Sequence, residues 1–512
     1  MGFFDFFRSE KKEIKSMYEK SYTNLTVPYT GEKTPYELGL PIPVTPHYDA
    51  LRLRSWKAFL DTDIVHNAIQ KYVLWIIGAG LKLQSNPEET ILGIELGDMK
   101  TTIEARFRIF ADSKYSTYKK DMTLHDLASE ALKTAILSGD ALCVVRYNRG
   151  NVSMQVIDGV FVETPFSSEV DYIRRATRRG NVITKGVEIN RRGTPVAYYV
   201  RQPNFTYKRI RATNNSGTIT YAWLLKGSRY KLHSVRGMGL LAAVLSSSQK
   251  MDRYKEATIG AAEENAKIPY TVEHGKDSDG ENPLIGQLAQ SLGKGAGIAL
   301  ETGDNCDVIA AKIAQSTEKM VYNLPVGATL KRNAGPTDPQ FGKFYTVNLN
   351  IIYATLGIPP EVAMDKFESS YSASRAAIKS WEHKMLVDRT KLVKNQFYKP
   401  FYDFWLNIQV LRGTVTAPGY LQAFADDDYM TLEAFRKCRF IGATVPHIDP
   451  VKEVSAERLK LGKAFGYMPL STVEQSMEAL NTGDFDDMIK KTTMEKTFTK
   501  TFNVTPKITT NE

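Results

Sequence analysis

Few residues in the sequence are spaced for catalysis. Gly342-Lys343 is followed by Phe344, whereas a phosphate-binding loop needs a fixed glycine spacing that ends in Lys and Ser or Thr. Glu382-His383 belongs to no HExxH pattern, and the seven histidines are scattered. We interpret Asp426-Asp427-Asp428 as a solvated turn that caps a helix near Thr431, not as a metal site. The sequence therefore predicts no catalytic residue, no metal and no cofactor.

The basic residues are concentrated in one part of the chain. Residues 171–237 hold fifteen lysines and arginines against two acidic residues, a net charge of +13 in a chain whose total is +10. Eleven of the fifteen are arginines, whose guanidinium groups suit phosphates and carboxylates. The candidate basic patch comprises Arg174, Arg175, Arg178, Arg179, Arg191 and Arg192. Two interpretations stay open: a surface that faces DNA or a partner, and ion pairs with acidic neighbours, including other subunits.

A second stretch carries the opposite charge. Residues 273–307 hold seven acidic residues against two lysines, a net charge of −5. The candidates for a partner-facing acidic surface are Asp277, Asp279, Glu281 and Asp304. An acidic surface beside DNA would prevent tight binding, whereas an ordinary solvated rim is the alternative interpretation.

The composition excludes several classes of protein. The three cysteines, Cys143, Cys306 and Cys438, are isolated, so neither a thiolate zinc site nor a disulfide scaffold is expected. The longest apolar stretch, residues 72–83, is about 12 residues, whereas a membrane span needs about 20. With 42% hydrophobic and 24% charged residues, we expect a soluble protein of several packed units in a reducing compartment.

The periodicity of apolar residues predicts the elements that must position these groups. Five prolines between residues 28 and 46 indicate an extended arm. Helices are expected from residue 47, capped anew at Asp61 or Asp63, then over about 101–111 and over 123–138 between Thr123 and Gly139. Short strands separated by Gly, Pro, Asn and Arg follow, at Val152–Ile157, Gly186–Ile189, Val196–Val200, Thr218–Leu225 and Tyr230–His233.

The second half of the chain predicts longer helices. The pattern over 238–266 predicts a helix of about 43 Å at 1.5 Å per residue. Compact α/β material follows over 268–335, and a helix over 340–356 ends at Gly357. After Pro359-Pro360 comes a short polar loop, which Ser372 or Ser374 ends by capping a helix that runs to Val410 with a kink at Pro400.

Several motifs, in this order, resemble the lambda-type portal family of tailed bacteriophages. Each motif is short, but their order along the chain is difficult to obtain by chance. They are Asn67-Ala68-Ile69 with Gly78 to Gln84, Phe110-Ala111-Asp112, Ser138-Gly139-Asp140-Ala141-Leu142, Gly186 to Asn190 with Gly193, His233 to Gly239, Leu356 to Pro360, Tyr371 to Ala377, and Ile448 to Glu453. The family more often has Trp at position 110 and Gly-Glu at 139–140.

The resemblance implies an α+β portal fold that assembles as a ring, usually of about twelve subunits. It implies a mixed α/β wing, a two-helix stem, an α/β clip, a tunnel loop and a long kinked helix. On this sequence these become an N-terminal arm (1–46), the wing (47–237), a stem helix (238–267), the clip (268–335), a second stem helix (336–357), the tunnel loop (358–371), a long wing or crown helix (372–411), a C-terminal helical region (412–490) and a tail (491–512).

The resemblance also implies a function. Portal rings stand at one capsid vertex of the virion, are assembled in the host cytoplasm, and conduct double-stranded DNA during packaging and ejection. The implied partners are sequence-independent duplex DNA, the large terminase, the head-tail connector, the major capsid protein and the scaffold, with no membrane. The candidate channel residues are Lys366, Ser369, Ser370, Arg375 and Lys379. The clip residues that the resemblance implies as candidates to face the terminase or adaptor are Asp277, Asp279, Glu281 and Asp304. Alternatives from other classes are a nucleic-acid-processing enzyme with a basic domain and a minor capsid or adaptor protein.

Overall fold

A computed structural model describes residues 48–165, 175–229, 232, 234–267, 270–272, 321–323, 341–366, 371–442, 450–461, 470–480, 488–489, 492–494 and 496. The chain divides into two compact units, because residues 244–352 separate from a unit made of all residues before and after them. None of the helices in the described ranges is long and apolar enough to cross a membrane.

The larger unit begins with helices whose ends follow local signals. They are α1 (Tyr48–Asp61), α2 (Asp63–Ile77), the short α3 (Glu89–Leu92), α4 (Gly97–Asp112) and α5 (Leu124–Ser138). The predicted cap of α2 was wrong by one position, because Thr62 occupies the N-cap and Asp63 is the first helical residue. The ends of α5 are as predicted: Thr123 and Asp126 cap each other reciprocally, and Gly139 ends the helix with a φ of +94°.

The β-rich part of this unit consists of two antiparallel sheets. One sheet has the order β3-β2-β8, from β2 (Asp140–Asn148), β3 (Asn151–Asp158) and β8 (Ala222–Lys226). The other has the order β4-β5-β6-β7, from β4 (Val182–Thr184), β5 (Val187–Ile189), β6 (Pro195–Arg201) and β7 (Tyr207–Arg211). Buried side chains of both sheets form one apolar cluster, which includes Leu142, Val144, Val187, Tyr198, Val200, Ile210 and Leu224. The sequence pattern missed β4 and β7, since each is short and β7 carries three basic residues.

The two ends of the larger unit meet in a small sheet and an aromatic core. Strand β1 (Lys82–Ser85) pairs antiparallel with the distant β11 (Cys438–Ile441). Behind this sheet the ring of Phe107 lies 5.2 Å from that of Trp405 and 6.1 Å from that of Phe440, measured between centroids. All three side chains are buried, so the N-terminal helices and the C-terminal segment share one core.

The smaller unit contains α6 (Leu245–Lys267), a parallel pair of short strands, β9 (Tyr270–Val272) and β10 (Val321–Asn323), and most of α7 (Phe341–Leu356). The helix predicted from residue 238 starts later, because a 3₁₀ turn, Leu240–Ala243, precedes it. Helix α7 agrees with the predicted 340–356. The expected strand over 230–233 lies largely outside the described residues.

The chain after α7 is more helical than the sequence predicted. A five-residue helix, α8 (Pro360–Met364), lies inside the predicted tunnel loop. Helix α9 (Tyr371–Asp388) continues through a π-helical segment, Arg389–Tyr398, into α10 (Lys399–Leu411). The irregularity expected at Pro400 therefore lies in the ten residues before it. Short helices follow in the described ranges: α11 (Tyr420–Ala425), α12 (Tyr429–Arg436), α13 (Pro450–Lys460) and α14 (Val473–Leu480).

Candidate nucleic-acid interface

The predicted tunnel loop begins at a tightly built helix end. Gly357 adopts a φ of +72°, and its N–H and that of Ile358 donate to the carbonyls of Ala354 and Tyr353. This is the Schellman arrangement, which satisfies carbonyl groups at a helix C-terminus. A Cβ on Gly357 would lie 2.2 Å from Cε of Lys384 on α9. The start of the loop is thus held against the helix that follows it.

Helix α2 holds the next part of the loop. The Lys71 ammonium donates to the Asp365 carboxylate at 2.6 Å and to the Val362 carbonyl at 3.1 Å. The Asn67 side-chain amide donates to the Ala363 carbonyl at 3.2 Å. Asp365 ends α8 in the left-handed region with a φ of +54°. Residues 358–365 therefore form a fixed base, and the candidate loop is shorter than predicted.

The predicted channel residues differ in their surroundings. Lys366 directly follows the fixed base and is exposed, whereas Ser369 and Ser370 lie outside the described residues. Arg375 is half-buried on α9. Lys379 is exposed but pairs with Glu382 at 2.9 Å, so one carboxylate already neutralises it.

The expected serine caps of α9 are wrong. The helix begins at Tyr371, so Ser372 and Ser374 lie within it, and the Ser374 side chain is buried. Arg375 is consequently the fifth residue of the helix and lies beyond the first turn.

Five of the six predicted patch arginines share an exposed surface. Arg175, Arg178 and Arg179 lie on a one-turn helix and the turn after it, and Arg191 and Arg192 lie in the turn between β5 and β6. The helix and the turn approach each other at Arg191, because a Cβ on Gly180 would lie 3.1 Å from the Arg191 Nε. Among the described residues, no carboxylate pairs with any of these five. Arg174 lies outside the described residues.

Other arginines of the basic stretch serve the interior instead. Arg209 donates to Glu188 at 2.8 Å, and this fully buried carboxylate also accepts from the Tyr199 hydroxyl and the Asn181 amide. Burial alone would raise the pKa of Glu188, but these donors outweigh it and hold the pKa below its usual value. The ion-pair interpretation therefore holds for Arg209, whereas the five described arginines of the candidate patch are exposed.

The most buried of these cations is Arg236, which is 1% exposed. Its Nε and Nη2 donate to the two carboxylate oxygens of Asp140 at 2.7 and 2.6 Å. Nη1 donates to the carbonyls of Val162 and Lys185, and Nη2 donates also to that of Gly159. All five N–H donors of the guanidinium are thereby used, so Arg236 is part of the core and faces no partner.

Asp140 is the centre of a larger buried network. It accepts also from the Gly237 N–H at 2.9 Å, and the Tyr48 hydroxyl and the Arg52 guanidinium lie within 3.8 Å. Burial alone would raise the pKa of Asp140, but the Arg236 guanidinium outweighs it and keeps the pKa below its usual value. The network joins α1, the start of β2 and the segment before α6.

The remaining candidate groups are the acidic residues, and those that the structure describes form no binding or catalytic site. Asp277, Asp279, Glu281 and Asp304 lie outside the described residues. Asp428 accepts from the N–H groups of Met430 and Thr431 as the N-cap of α12, as predicted for the acidic turn. In the described part of the chain, no group of three His, Cys, Asp or Glu side chains could hold a metal ion.

Comparison with known proteins decides the family. Residues 42–387 match the model of the phage portal proteins of the lambda family. The chain belongs to this family. The membership confirms the resemblance that the ordered motifs indicated. Proteins of this family are structural components of phage particles.

Solved structures that this chain matches include chains of gene transfer agent particles. A chain from the virion of the native particle is 12% identical, with 87% of this chain and 96% of that chain covered and a TM-score of 0.42. A chain from the neck of the empty particle is 11% identical, with the same coverage and a TM-score of 0.44. These values are low, and the assignment to the portal family rests on the sequence match alone.

Sequence reasoning missed three parts of this site. It did not foresee the pairing of Asp140 with Arg236, although it singled out both segments as motifs. It placed no residue of α2 at the loop, yet Lys71 and Asn67 hold the loop base. The short helix α8 had a signal, because Pro360 occupies the first helical position, where proline is favoured.

Proposed function

We propose that the chain is the subunit of a portal ring of about twelve copies, closed by one repeated head-to-tail interface. The ring stands at one vertex of the capsid, next to the major capsid protein and scaffold. Double-stranded DNA passes through its axial channel during packaging and ejection. The large terminase docks on the acidic clip, and the head-tail connector replaces it afterwards. The match to the lambda portal family over residues 42–387 carries this proposal.

The proposed role requires DNA contacts that do not stop movement. Base contacts would arrest the duplex at particular sequences, so only phosphate and shape contacts are useful. Even these must be few, since six to ten phosphate contacts already bind strongly at low salt. Lys366 is the one lysine within residues 358–366, and it is exposed, so it is available for such a contact. Lys379, on α9, instead pairs with Glu382.

The arrangement of the loop supports the same role. A channel loop has to keep its position while DNA moves past it. Its start is held by the Gly357 turn and its next segment by Lys71 and Asn67. A fixed base with a short polar tip allows contact with the duplex while the surrounding helices stay in place.

Electron microscopy of the purified full-length chain tests the proposal. We expect closed rings with an axial hole, and a mass in solution that corresponds to about twelve subunits. A stable monomer at all concentrations, or a dimer with two-fold symmetry, would contradict the portal assignment of function.

A further inference from the structure

One loop of the larger unit carries exposed aromatic and basic side chains together. Residues 113–122 lead from α4 towards α5, and we call them the tyrosine loop. Tyr115 is 72% exposed and Tyr118 is 56% exposed. The exposed cations of the loop and of the last turns of α4 are Arg106, Arg108, Lys114, Lys119 and Lys120. None of these residues belongs to the candidate basic patch or to the candidate channel.

The backbone of the tyrosine loop is fixed by contacts of its own. The side chains of Ser116 and Thr117 are buried, and the Thr117 hydroxyl donates to the Met122 carbonyl at 3.0 Å. The Tyr118 N–H donates to the Met154 carbonyl at 2.9 Å. Because Met154 belongs to β3, an edge strand, the loop lies along the edge of a sheet. Its exposed side chains are therefore presented from an ordered backbone.

Each of the two exposed rings has a cation over one face. The Lys120 Nζ lies 5.1 Å from the ring centroid of Tyr115, and the Arg146 Cζ lies 5.7 Å from that of Tyr118. A cation in this position is attracted to the aromatic face. Lys120 also has a φ of +59°, a backbone conformation that residues other than glycine rarely adopt. Uncommon backbone conformations of this kind are concentrated at binding sites.

The cations beside the rings are not neutralised within the chain. In the described ranges no ion pair involves Lys114, Lys119 or Lys120. The Arg146 guanidinium donates from Nε to the side-chain carbonyl of Gln155 at 2.7 Å, and this amide is neutral. The positive charge of the loop is thus available to an anionic partner.

Two carboxylates near the cations bear on the class of that partner. Residues 105–121 hold five cations and two acidic residues, Asp112 and Asp121, a net charge of +3. Both acidic residues are exposed. A nucleic acid has a charge on every phosphate and would bring some of them close to these carboxylates, whereas a polypeptide can place its acidic residues singly. Tyrosine and arginine are also the side chains that contribute most at protein interfaces. The surface therefore favours an acidic polypeptide.

We propose that the tyrosine loop binds an acidic polypeptide segment of a partner protein. Carboxylates of the segment pair with Lys119, Lys120 and Arg146, and its apolar or aromatic side chains pack on Tyr115 and Tyr118. Because the loop is ordered before binding and tyrosine has few rotatable bonds, little conformational entropy is lost. The inference does not depend on the proposed ring, since every residue that it uses belongs to one chain.

Binding of synthetic polymers to the full-length chain tests the role of the rings. The probes are a random copolymer of glutamate and tyrosine, and poly-glutamate of the same length. Tyr115→Ser/Tyr118→Ser is expected to weaken binding of the copolymer by about tenfold or more and to leave binding of poly-glutamate nearly unchanged. Tyr429→Ser is the control, because Tyr429 is 72% exposed in the same unit and should affect neither polymer. Equal copolymer affinities for the tyrosine double variant and the control would overturn the proposal.

A change of charge tests the role of the cations. Lys119→Glu/Lys120→Asn is expected to weaken binding of the copolymer by about tenfold or more, and asparagine is tolerated at the left-handed position 120. Lys57→Glu/Lys208→Asn makes the same change in net charge at two exposed lysines elsewhere in the unit and should weaken binding far less. Equal losses would show attraction to net charge alone and overturn the proposal. Circular dichroism checks that all variants fold.

A single-stranded oligonucleotide of mixed sequence separates the two classes of partner. We expect its binding to be unaffected by Tyr115→Ser/Tyr118→Ser. If that variant weakens binding of the oligonucleotide and not of the copolymer, the loop is a nucleic-acid surface, and the acidic-polypeptide proposal is wrong. Ring formation, which tests the proposed function, is measured separately by electron microscopy and should be the same for this variant and the wild type.

Discussion

Asp140 and Arg236 are 96 positions apart in the chain and bind each other through two hydrogen bonds of 2.6 and 2.7 Å in a site closed to solvent. The carboxylate begins β2, and the guanidinium lies in the segment that leads towards α6. Next to them the backbones of Gly139 and Gly237 nearly touch, since a Cβ on Gly237 would lie 2.0 Å from the Gly139 carbonyl oxygen. The pair therefore joins the start of β2 to the segment that follows β8.

Removing one partner should leave an uncompensated buried charge. We expect Asp140→Ala to cost about 3–5 kcal/mol of stability, whereas Asp140→Asn/Arg236→Met should recover part of the loss. Denaturant midpoints at one protein concentration provide the measurement. Lys133→Ala is the control, because it breaks the exposed Lys133–Glu130 pair of 2.7 Å and should cost under about 1 kcal/mol. Similar losses for both single variants would refute the buried role.

The same pair should make stability depend on pH in one direction. The folded pKa of Asp140 lies below its usual value, so the folded state binds fewer protons at this group than the unfolded state. Its stabilisation is present above the unfolded pKa of about 3.9 and is lost as the pH falls through the folded value. The difference in midpoint between wild type and Asp140→Asn should be constant above about pH 5 and shrink below about pH 4. A difference that grows on acidification would contradict the assignment.

The close approach of Gly139 and Gly237 predicts a steric effect. Gly237→Ala should lower stability by about 1–3 kcal/mol, because the new methyl group meets backbone that cannot rotate away. Gly97→Ala at the start of α4 meets no atom within 4 Å and should be neutral or slightly stabilising. Denaturant midpoints of the two variants give the comparison. An unchanged midpoint for Gly237→Ala would show that the backbone at this junction can move to accept the methyl group.

The exposed basic surface should bind DNA without regard to sequence. Reversal of Arg178, Arg179 and Arg191 to Glu should flatten the dependence of log K on log salt by about 0.9 for each phosphate that the variant no longer binds. Arg106→Glu/Arg108→Glu/Lys114→Glu is the control, because these residues are exposed elsewhere in the same unit. Titration of short duplexes of two unrelated sequences measures the slopes. Equal slopes for both triple variants would assign the surface to protein contacts.

Removing the tip of the predicted tunnel loop should spare assembly. Deletion of residues 366–370 retains Asp365 and its bond to Lys71, so rings should form as in the wild type. The DNA content of assembled particles should fall. Lys366→Ser should reduce it partly, and Lys379→Ser should not, because Lys379 already pairs with Glu382. Full particles from the deletion would show that the tip is dispensable, and loss of rings would show that it is structural.

Features encoded by neighbouring residues could be predicted from the sequence. The limits of α5 follow from Thr123 and Gly139, and the end of α7 follows from Gly357, because capping and left-handed turns depend on a few adjacent residues. The two long helices α7 and α9 on either side of the candidate channel segment were also predictable, whereas the short helix α8 between them was missed. The order of motifs indicated the portal family, which the sequence match confirmed.

Features that depend on distant contacts could not be predicted. Charge composition counted Arg236 with the surface cations, since nothing near it in sequence reveals a buried carboxylate 96 positions earlier. The irregularity expected at Pro400 lies in the preceding turns, where Arg389 donates to the carbonyls of Trp75 and Ile76 at the end of α2. That contact joins residues more than three hundred positions apart and has no local signal.

The aromatic core of the larger unit extends past the point where the family match ends. The family match ends at residue 387, yet Phe107, well inside the matched region, packs against Trp405 and Phe440 beyond it. A polypeptide cut at the limit of the match would keep every family motif before that point. It would lose β11 and two of the three core aromatic side chains, Trp405 and Phe440, and its exposed rings would favour aggregation over assembly.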